Sequence, residues 1–274
     1  MPTSPDQPGI SRGYVIPIGG AEERSGPMPV LSRFVELSGA GTARIAIIPT
    51  ASTLPDTGEK YVDIFKQLGV SEAIRLDVLE RADGERDDLI DKLNSATGIF
   101  LTGGNQLRIS TILGGTAMAQ AIRRLNANGV HVAGTSAGAA IMPEHMIAGG
   151  NTGNSPSTDM VTLAPGLGLT NAFLIDQHFT QRDRLGRLLT AISYNPFLTG
   201  LGIDEDTAVI INPGVDLEVV GSGTVTVLDP ADLSYSSMGS AGKNNSLTLL
   251  NLKLHILSEG CRYKIANREA LPPA

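Results

Sequence analysis

The sequence predicts an α/β fold, a mostly parallel sheet with helices on both faces and additional strands towards the C-terminus. Three observations predict it. Short apolar runs alternate with helical stripes through most of the chain, as in strand–helix–strand units. Several of those runs end in glycines or polar clusters, the place where open α/β sheets carry their sites. Finally, Gly134-Thr135-Ser136-Ala137-Gly138-Ala139-Ala140 follows the apolar Val130 to Ala133 and opens a helix-forming stretch, which reads as strand, sharp turn and helix.

In chain order, Tyr14 to Ile18 reads as a strand ending in the tight turn Gly19-Gly20, before Ala21-Glu22-Glu23-Arg24. Arg44 to Pro49 is a second buried strand, and Gly39-Ala40-Gly41 precedes it, so that glycine pair is not a nucleotide fingerprint. Tyr61, Ile64, Phe65 and Leu68 recur at helical spacing, giving a helix over Gly58 to Leu68. Ala73 to Val78 follows as a strand, Leu89, Ile90 and Leu93 mark a short helix, and Gly98 to Leu101 is a strand. It runs into Thr102-Gly103-Gly104-Asn105-Gln106. Met118, Ile122 and Leu125 form a helical stripe that leads to the Ser136 strand, with His131 inside that strand and His145 late in the helix after it.

Gly149 to Gly168, rich in Gly, Asn, Ser, Thr and Pro, reads as a long loop near the active face. Phe173 to Ile175 is a strand entering Asp176-Gln177-His178-Phe179-Thr180-Gln181-Arg182-Asp183-Arg184-Leu185-Gly186-Arg187, the densest polar cluster of the chain. A helix with Leu185, Leu188, Leu189 and Ile192 as its apolar positions follows. Leu198 to Ile203 leads through Asp204-Glu205-Asp206 into the strand Ala208 to Ile211. Leu217 to Leu228 and Leu247 to Leu257 are strand-like and read as an appended antiparallel sheet or extension, with His255 in the last of them.

At 274 residues with 41% hydrophobic residues, the chain suits one domain over 1–274, with 1–13 as a flexible N-terminal segment and 247–274 as C-terminal strands and tail. A net charge of −7 argues against nucleic acid as a partner. Met1 to Gly13 lacks the apolar core of a leader or anchor, and no apolar run is long enough to span a bilayer, so no membrane partner and a cytoplasmic location are expected. The single Cys261 excludes an internal disulfide and reads as a structural thiol. No His, Cys or carboxylate set has metal-ligand spacing, so no metal is expected.

A serine on the turn after Gly134 is pushed out above the sheet, which makes Ser136 the candidate nucleophile. The Ala137 N–H stands at the start of a helix, and Gly103 or Gly104 follows a central strand, so these supply candidate oxyanion donors. Gln106 is placed to bind substrate. His178, just past a strand end, is the candidate base. Glu205 is the candidate acid to orient it, with Asp204 and Asp206 as rivals. Arg182, Arg184 and Arg187 together suit bidentate recognition of substrate carboxylates.

These pieces carry a resemblance. Ile18-Gly19-Gly20-Ala21-Glu22, Leu101 to Gln106, Gly134 to Ala139, Asp176 to Phe179 with Gln181 to Arg184, and Gly202 to Thr207 together resemble the serine peptidase family of cyanophycinases and aspartyl dipeptidases. The resemblance covers nearly the whole chain. It implies a single peptidase domain, similar in fold to class I glutamine amidotransferases, with a serine nucleophile elbow in place of their cysteine. It also implies an exopeptidase that cleaves the poly-aspartate backbone of cyanophycin to β-aspartyl-arginine dipeptides through an acyl-enzyme. Carried over by position, Ser136 is nucleophile, His178 base and Glu205 acid. Gln106, Asp176, Gln177, Arg182, Arg184 and Arg187 fall where the family lines its substrate pocket. No cofactor is implied, and a homodimer is. Asn105 stands where some relatives carry an acidic residue. The rival readings are an aspartyl dipeptidase or other β-aspartyl peptidase of the same fold, and a non-catalytic binding protein.

Overall fold

The structure is a computed structural model and describes residues 4, 5, 9 and 11–273. The first strand, β1 (Val15–Ile18), leads to helix α1 (Pro29–Leu37), β2 (Arg44–Ile48), α2 (Thr57–Gln67), β3 (Glu72–Arg75), α3 (Asp87–Asn94) and β4 (Gly98–Leu101). Helices α4 (Gln106–Leu113) and α5 (Ala117–Ala127) precede β5 (His131–Thr135), the four-residue α6 (Ala137–Ala140) and the hairpin β6 (His145–Gly150) with β7 (Val161–Pro165). Strand β8 (Phe173–Gln177), helix α7 (Leu185–Tyr194), β9 (Thr199–Ile203), β10 (Thr207–Asn212), β11 (Asp216–Gly221) and β12 (Val225–Asp229) follow. Five shorter C-terminal strands complete the chain: β13 (Tyr235–Ser236), β14 (Leu249–Leu250), β15 (Lys253–Leu257), β16 (Arg262–Lys264) and β17 (Glu269–Leu271).

Nine strands form the main sheet, in the order β17-β16-β11-β10-β1-β5-β4-β2-β3. From β1 to β3 every neighbour pair is parallel, while from β1 outward to β17 every pair is antiparallel. The alternation of strand and helix in the sequence thus maps to the parallel half, while of the C-terminal strands only β10, β11, β16 and β17 form its antiparallel extension and β12 to β15 lie outside this sheet. Parallel strands are buried on both faces because their crossovers put helices there. Ile45 and Ile47 of β2 accordingly join one core with Leu31, Phe34, Tyr61 and Phe65 of α1 and α2, while Ala46 and Ile48 join the other with Leu93, Met118 and Ile122 of α3 and α5.

A second sheet, in the order β15-β12-β9-β8, lies under α7, where Leu174, Phe179, Leu188, Ile192 and Leu228 form a third core. β9 belongs to this sheet and β10 to the main one. Residues 204–206 are therefore the turn at which the chain changes sheets. Among the described residues no helix is long and apolar enough to cross a membrane.

The structure departs from the sequence reading in four places. Helix α1 went unread, though Pro29 opens it and Val30, Leu31, Phe34 and Val35 bury one stripe. Helix α4 starts at Gln106 because the Asn105 side chain accepts from the N–H groups of Leu107 (2.9 Å) and Arg108 (3.4 Å), an N-cap on a residue read only as part of a glycine turn. His145 opens β6 instead of ending a helix, since α6 closes at Ala140. The stretch 149–168, read as loop, contains the end of β6 and all of β7, and a register shift between Ile147 and Gly149 bends that hairpin. Of the expected flexible segment 1–13, residues 1–3, 6–8 and 10 lie outside the described part.

Candidate active site

Four carboxyl ends of strands converge here: β1, β4, β5 and β8. Ser136 follows β5 with φ +53° and ψ −111°, and its N–H donates to the Ile18 carbonyl of β1 at 3.0 Å. Holding a non-glycine residue there costs about 1–3 kcal/mol and persists only where the surroundings over-determine it. The flanking glycines show how: a Cβ on Gly134 would lie 2.5 Å from the Gly138 carbonyl oxygen, and one on Gly138 2.2 Å from that of Leu101. Only bare backbone lets α6 seat this closely behind β5 and β4.

His178 follows β8 with φ +46°, and its N–H donates to the Gly19 carbonyl at 2.8 Å. A Cβ on Gly20 would stand 2.3 Å from the imidazole Cε1, so Gly20 is the floor on which the ring lies. The Ser136 hydroxyl is 2.9 Å from His178 Nε2, and Nδ1 is 2.5 Å from Glu205 Oε1. An ionised carboxylate only accepts, so the proton on the ring sits on Nδ1 and leaves Nε2 free to accept from the serine. Burial pushes the imidazole below its ordinary value of 6.5, Glu205 opposes that, and the charges of Arg182 and Arg184 add to it. The ring is thus neutral at pH 7, the form able to accept a proton.

The three adjacent carboxylates of the sheet-changing turn have three fates. Asp204 is buried, its Oδ1 accepting from the Thr180 N–H and hydroxyl and its Oδ2 from those of Thr224, at 2.7–3.1 Å. Asp206 accepts from the Glu23 N–H at 2.8 Å and the Ser222 hydroxyl at 2.7 Å. Glu205 alone of the three reaches His178, and its N–H donates to Gln181 Oε1 at 3.1 Å.

The remaining sequence candidates are spread over several surroundings. Gln177 lies beside the nucleophile, its Oε1 3.4 Å from Ser136 Oγ. Gly103 also faces it, since a Cβ there would be 3.4 Å from the Ser136 Cβ, whereas Gly104, at φ +145°, packs against the Ala51 carbonyl. Asp176 is 1% exposed, and its two oxygens accept from Arg187 Nε (2.5 Å), Arg187 Nη2 and Arg184 Nη1 (3.3 Å). Arg184 also donates to the Gln177 carbonyl. Burial, with Arg187 and Arg182 adding and Asp176 opposing, lowers its guanidinium to about 10. Asp176 and Arg187 are therefore spent on each other beneath the site, and only Arg182 of the three arginines is exposed. Gln106 donates to the Ala148 carbonyl at 2.9 Å, tying α4 to β6. Ala137 is fully buried at the start of α6.

Sequence reasoning missed a group on the other side of the serine. The cleft over Ser136 and His178 is lined by Ala21, Glu22, Arg24, Gly103 and Thr135. The Glu22 side chain is fully buried and accepts from the hydroxyls of Tyr61 and Thr135 and from Arg24 Nε at 3.2 Å. Burial, with Glu22 adding and Arg24 opposing, holds the Tyr61 phenol well above its usual range, so it stays a donor. A charged residue just past a strand-end glycine turn was the available signal for Glu22, the one that singled out His178. Nothing local marks Tyr61, which reads as core on α2.

Other histidines lie elsewhere: His131 Nδ1 accepts from the Tyr14 N–H at 2.9 Å, His145 meets the Phe197 edge, and His255 faces Tyr263. Cys261 is buried and unbridged.

A family model described as Peptidase family S51 matches residues 15–216. A cyanophycinase from Geminocystis herdmanii is 43% identical over 264 residues, covering 96% of this chain and 96% of its own. A cyanophycinase from Trichormus variabilis is 41% identical over 267 residues, covering 97% of this chain and 90% of its own. Among solved structures, a peptidase from an acI-B1 Actinobacterium superposes with a TM-score of 0.61 over 89% of this chain and 98% of its own, at 22% identity, a likeness of fold.

Proposed function

The chain belongs to peptidase family S51 and is a serine-type peptidase, and from that premise we propose that it is a cyanophycinase with Ser136, His178 and Glu205 as its catalytic set. One observation carries the assignment of roles: the continuous hydrogen-bonded line from the Ser136 hydroxyl through both nitrogens of His178 to Glu205, open to a cleft at the strand ends. On this reading Ser136 is the elbow serine of a class I glutamine amidotransferase-like fold. The substrate class follows the two cyanophycinases matched over nearly the full chain.

In the mechanism, Ser136 Oγ attacks a backbone carbonyl carbon of the poly-aspartate chain while its proton passes to His178 Nε2. Glu205 holds the Nδ1 proton and stabilises the imidazolium that forms. The Ala137 N–H and the Gly103 N–H receive the oxyanion; Gly103 is preferred to Gly104 because it borders Ser136. Collapse breaks the C–N bond, and His178 returns its proton to the departing amine. Water then attacks the acyl-enzyme, gives its proton to His178, and the serine is released with a free carboxylic acid product. Gln177 lies close enough to touch the reacting group. Exposed Arg182 meets substrate carboxylates, Arg184 and Arg187 with Asp176 form the wall behind it, and Gln106 holds the adjoining hairpin. Exopeptidase action, a β-aspartyl-arginine product, a homodimer and a cytoplasmic location belong to the same proposal.

Incubation of the protein and its Ser136→Ala variant with insoluble cyanophycin, followed by mass spectrometry of the soluble products, tests it. β-Aspartyl-arginine from the unaltered protein alone is the expected result. No product from either, with turnover of aspartyl dipeptides instead, would replace the polymer reading by the dipeptidase one.

A further inference from the structure

We propose that Arg24 is a specificity residue, a pre-set guanidinium that binds a substrate carboxylate in the Ser136 cleft; this rests on the peptidase reading above. Arg24 and Ser136 line the same cleft. The carboxylate there, Glu22, has both oxygens occupied by Tyr61, Thr135 and Arg24 and its side chain is fully buried, so it offers a ligand nothing. Arg24 differs. Its Nε is tied to Glu22 Oε1 and its Cζ stands 5.2 Å from the centre of the Tyr61 ring, yet its side chain is 51% exposed.

An arginine held by Nε and by an aromatic face keeps its two Nη groups in one plane and pointing one way. Ordinarily a large rotamer entropy opposes bidentate binding; here the fold has already removed much of it. The backbone is rooted as well. Asp206 N–H donates to the Gly20 carbonyl at 2.8 Å, Glu23 N–H to Asp206 Oδ1 at 2.8 Å, and Met28 N–H to Glu23 Oε2 at 3.0 Å. The turn that presents Glu205 to the histidine thus also fixes the segment bearing Arg24. A planar pair of charged N–H donors matches a carboxylate. The proposed polymer offers two such groups, the main-chain terminal carboxylate and the free carboxylate of each β-linked arginine.

The test uses a short synthetic β-aspartyl-arginine oligomer in three forms: free, amidated at the main-chain terminus, and amidated at the arginine carboxylates. It compares kcat/KM for the full-length protein, Arg24→Gln and Arg24→Lys. Amidation of the recognised carboxylate should lower kcat/KM of the unaltered protein by roughly 10- to 100-fold, mostly through KM, as expected for loss of a charged hydrogen bond pair. The amide that does so names the carboxylate. Arg24→Gln should be low on the free oligomer and no longer discriminate. Arg24→Lys, which keeps the charge beside Glu22 without the planar fork, should retain part of the discrimination, and it carries the test if Arg24→Gln fails to fold. Equal rates on all three oligomers with the unaltered protein, or undiminished discrimination in the variants, would overturn the role of Arg24 while leaving the peptidase reading intact. No cleavage of any oligomer overturns the polymer reading and this inference with it.

Discussion

Two buried carboxylates lie near Ser136, and they are neutralised in opposite ways. Asp176 is held by two arginines that are themselves buried, so every charged group of that trio faces inward. Glu22 is held by two hydroxyls and by one arginine whose side chain is half exposed. A buried charge demands partners in both cases. What differs is where the partners' remaining donors point. In the first cluster they are enclosed, with Arg184 Nε buried and unpartnered, and the cluster can only support the strand end from which His178 departs. In the second, the cation lines the cleft with its side chain half exposed, which is what the proposed carboxylate recognition requires.

The largest effect that sharpens this contrast is expected from Asp176→Ala. It leaves two buried guanidiniums without their counter-charge and should lower stability by about 3–5 kcal/mol, read from denaturant midpoints at unchanged slope. Glu22→Gln should cost less, about 1–2 kcal/mol, because the amide can still hydrogen-bond its neighbours and Arg24 can turn to water. If the two variants lost equal stability, the distinction between a closed and an open cluster would collapse. The smallest effect concerns Arg182, which belongs to neither cluster. Since burial, helped by this charge, depresses the His178 value, the neutral base and hence kcat/KM persist below pH 6.5 and are lost as pH falls through that depressed value. Removing the charge in Arg182→Gln raises it, so the acid limb of the kcat/KM profile should move to higher pH, and less so at high salt. A limb that moved down, or not at all at low salt, would remove Arg182 from the electrostatics of the base.

The part of the site that was legible in the sequence lies on short chain segments at strand ends. Ser136, His178 and the acidic triplet each follow an apolar run, and side chains there project above the sheet whatever the rest of the fold does. Which of Asp204, Glu205 and Asp206 meets the histidine was not legible. Their chemistry is the same, and the choice is made by Thr180, Thr224, Ser222 and Glu23, which occupy the other two from three separate segments. The three arginines looked equivalent for a similar reason, and Asp176 took two of them out of solvent. The inner strands of the parallel half were legible because each is an apolar run buried on both faces, which the half-exposed edge strand β3 is not. The hairpin β6–β7 was not, since its strands pair across a Gly-, Ser- and Asn-rich connection with a register shift; helix α1 carried local signals in Pro29 and its apolar stripe that went unread.

The sequence by itself determined the α/β alternation, the serine on a glycine-flanked turn after a strand, and the histidine at another strand end, because these depend on local periodicity and on conformations only small residues allow. Tertiary structure alone decided the partners. It brought the sheet-changing turn to His178, closed Asp176 with Arg184 and Arg187, and carried Tyr61 from α2 to a carboxylate 39 residues away. Pairing between distant buried polar groups is set by which strand ends the topology gathers, and no local pattern of residues encodes that.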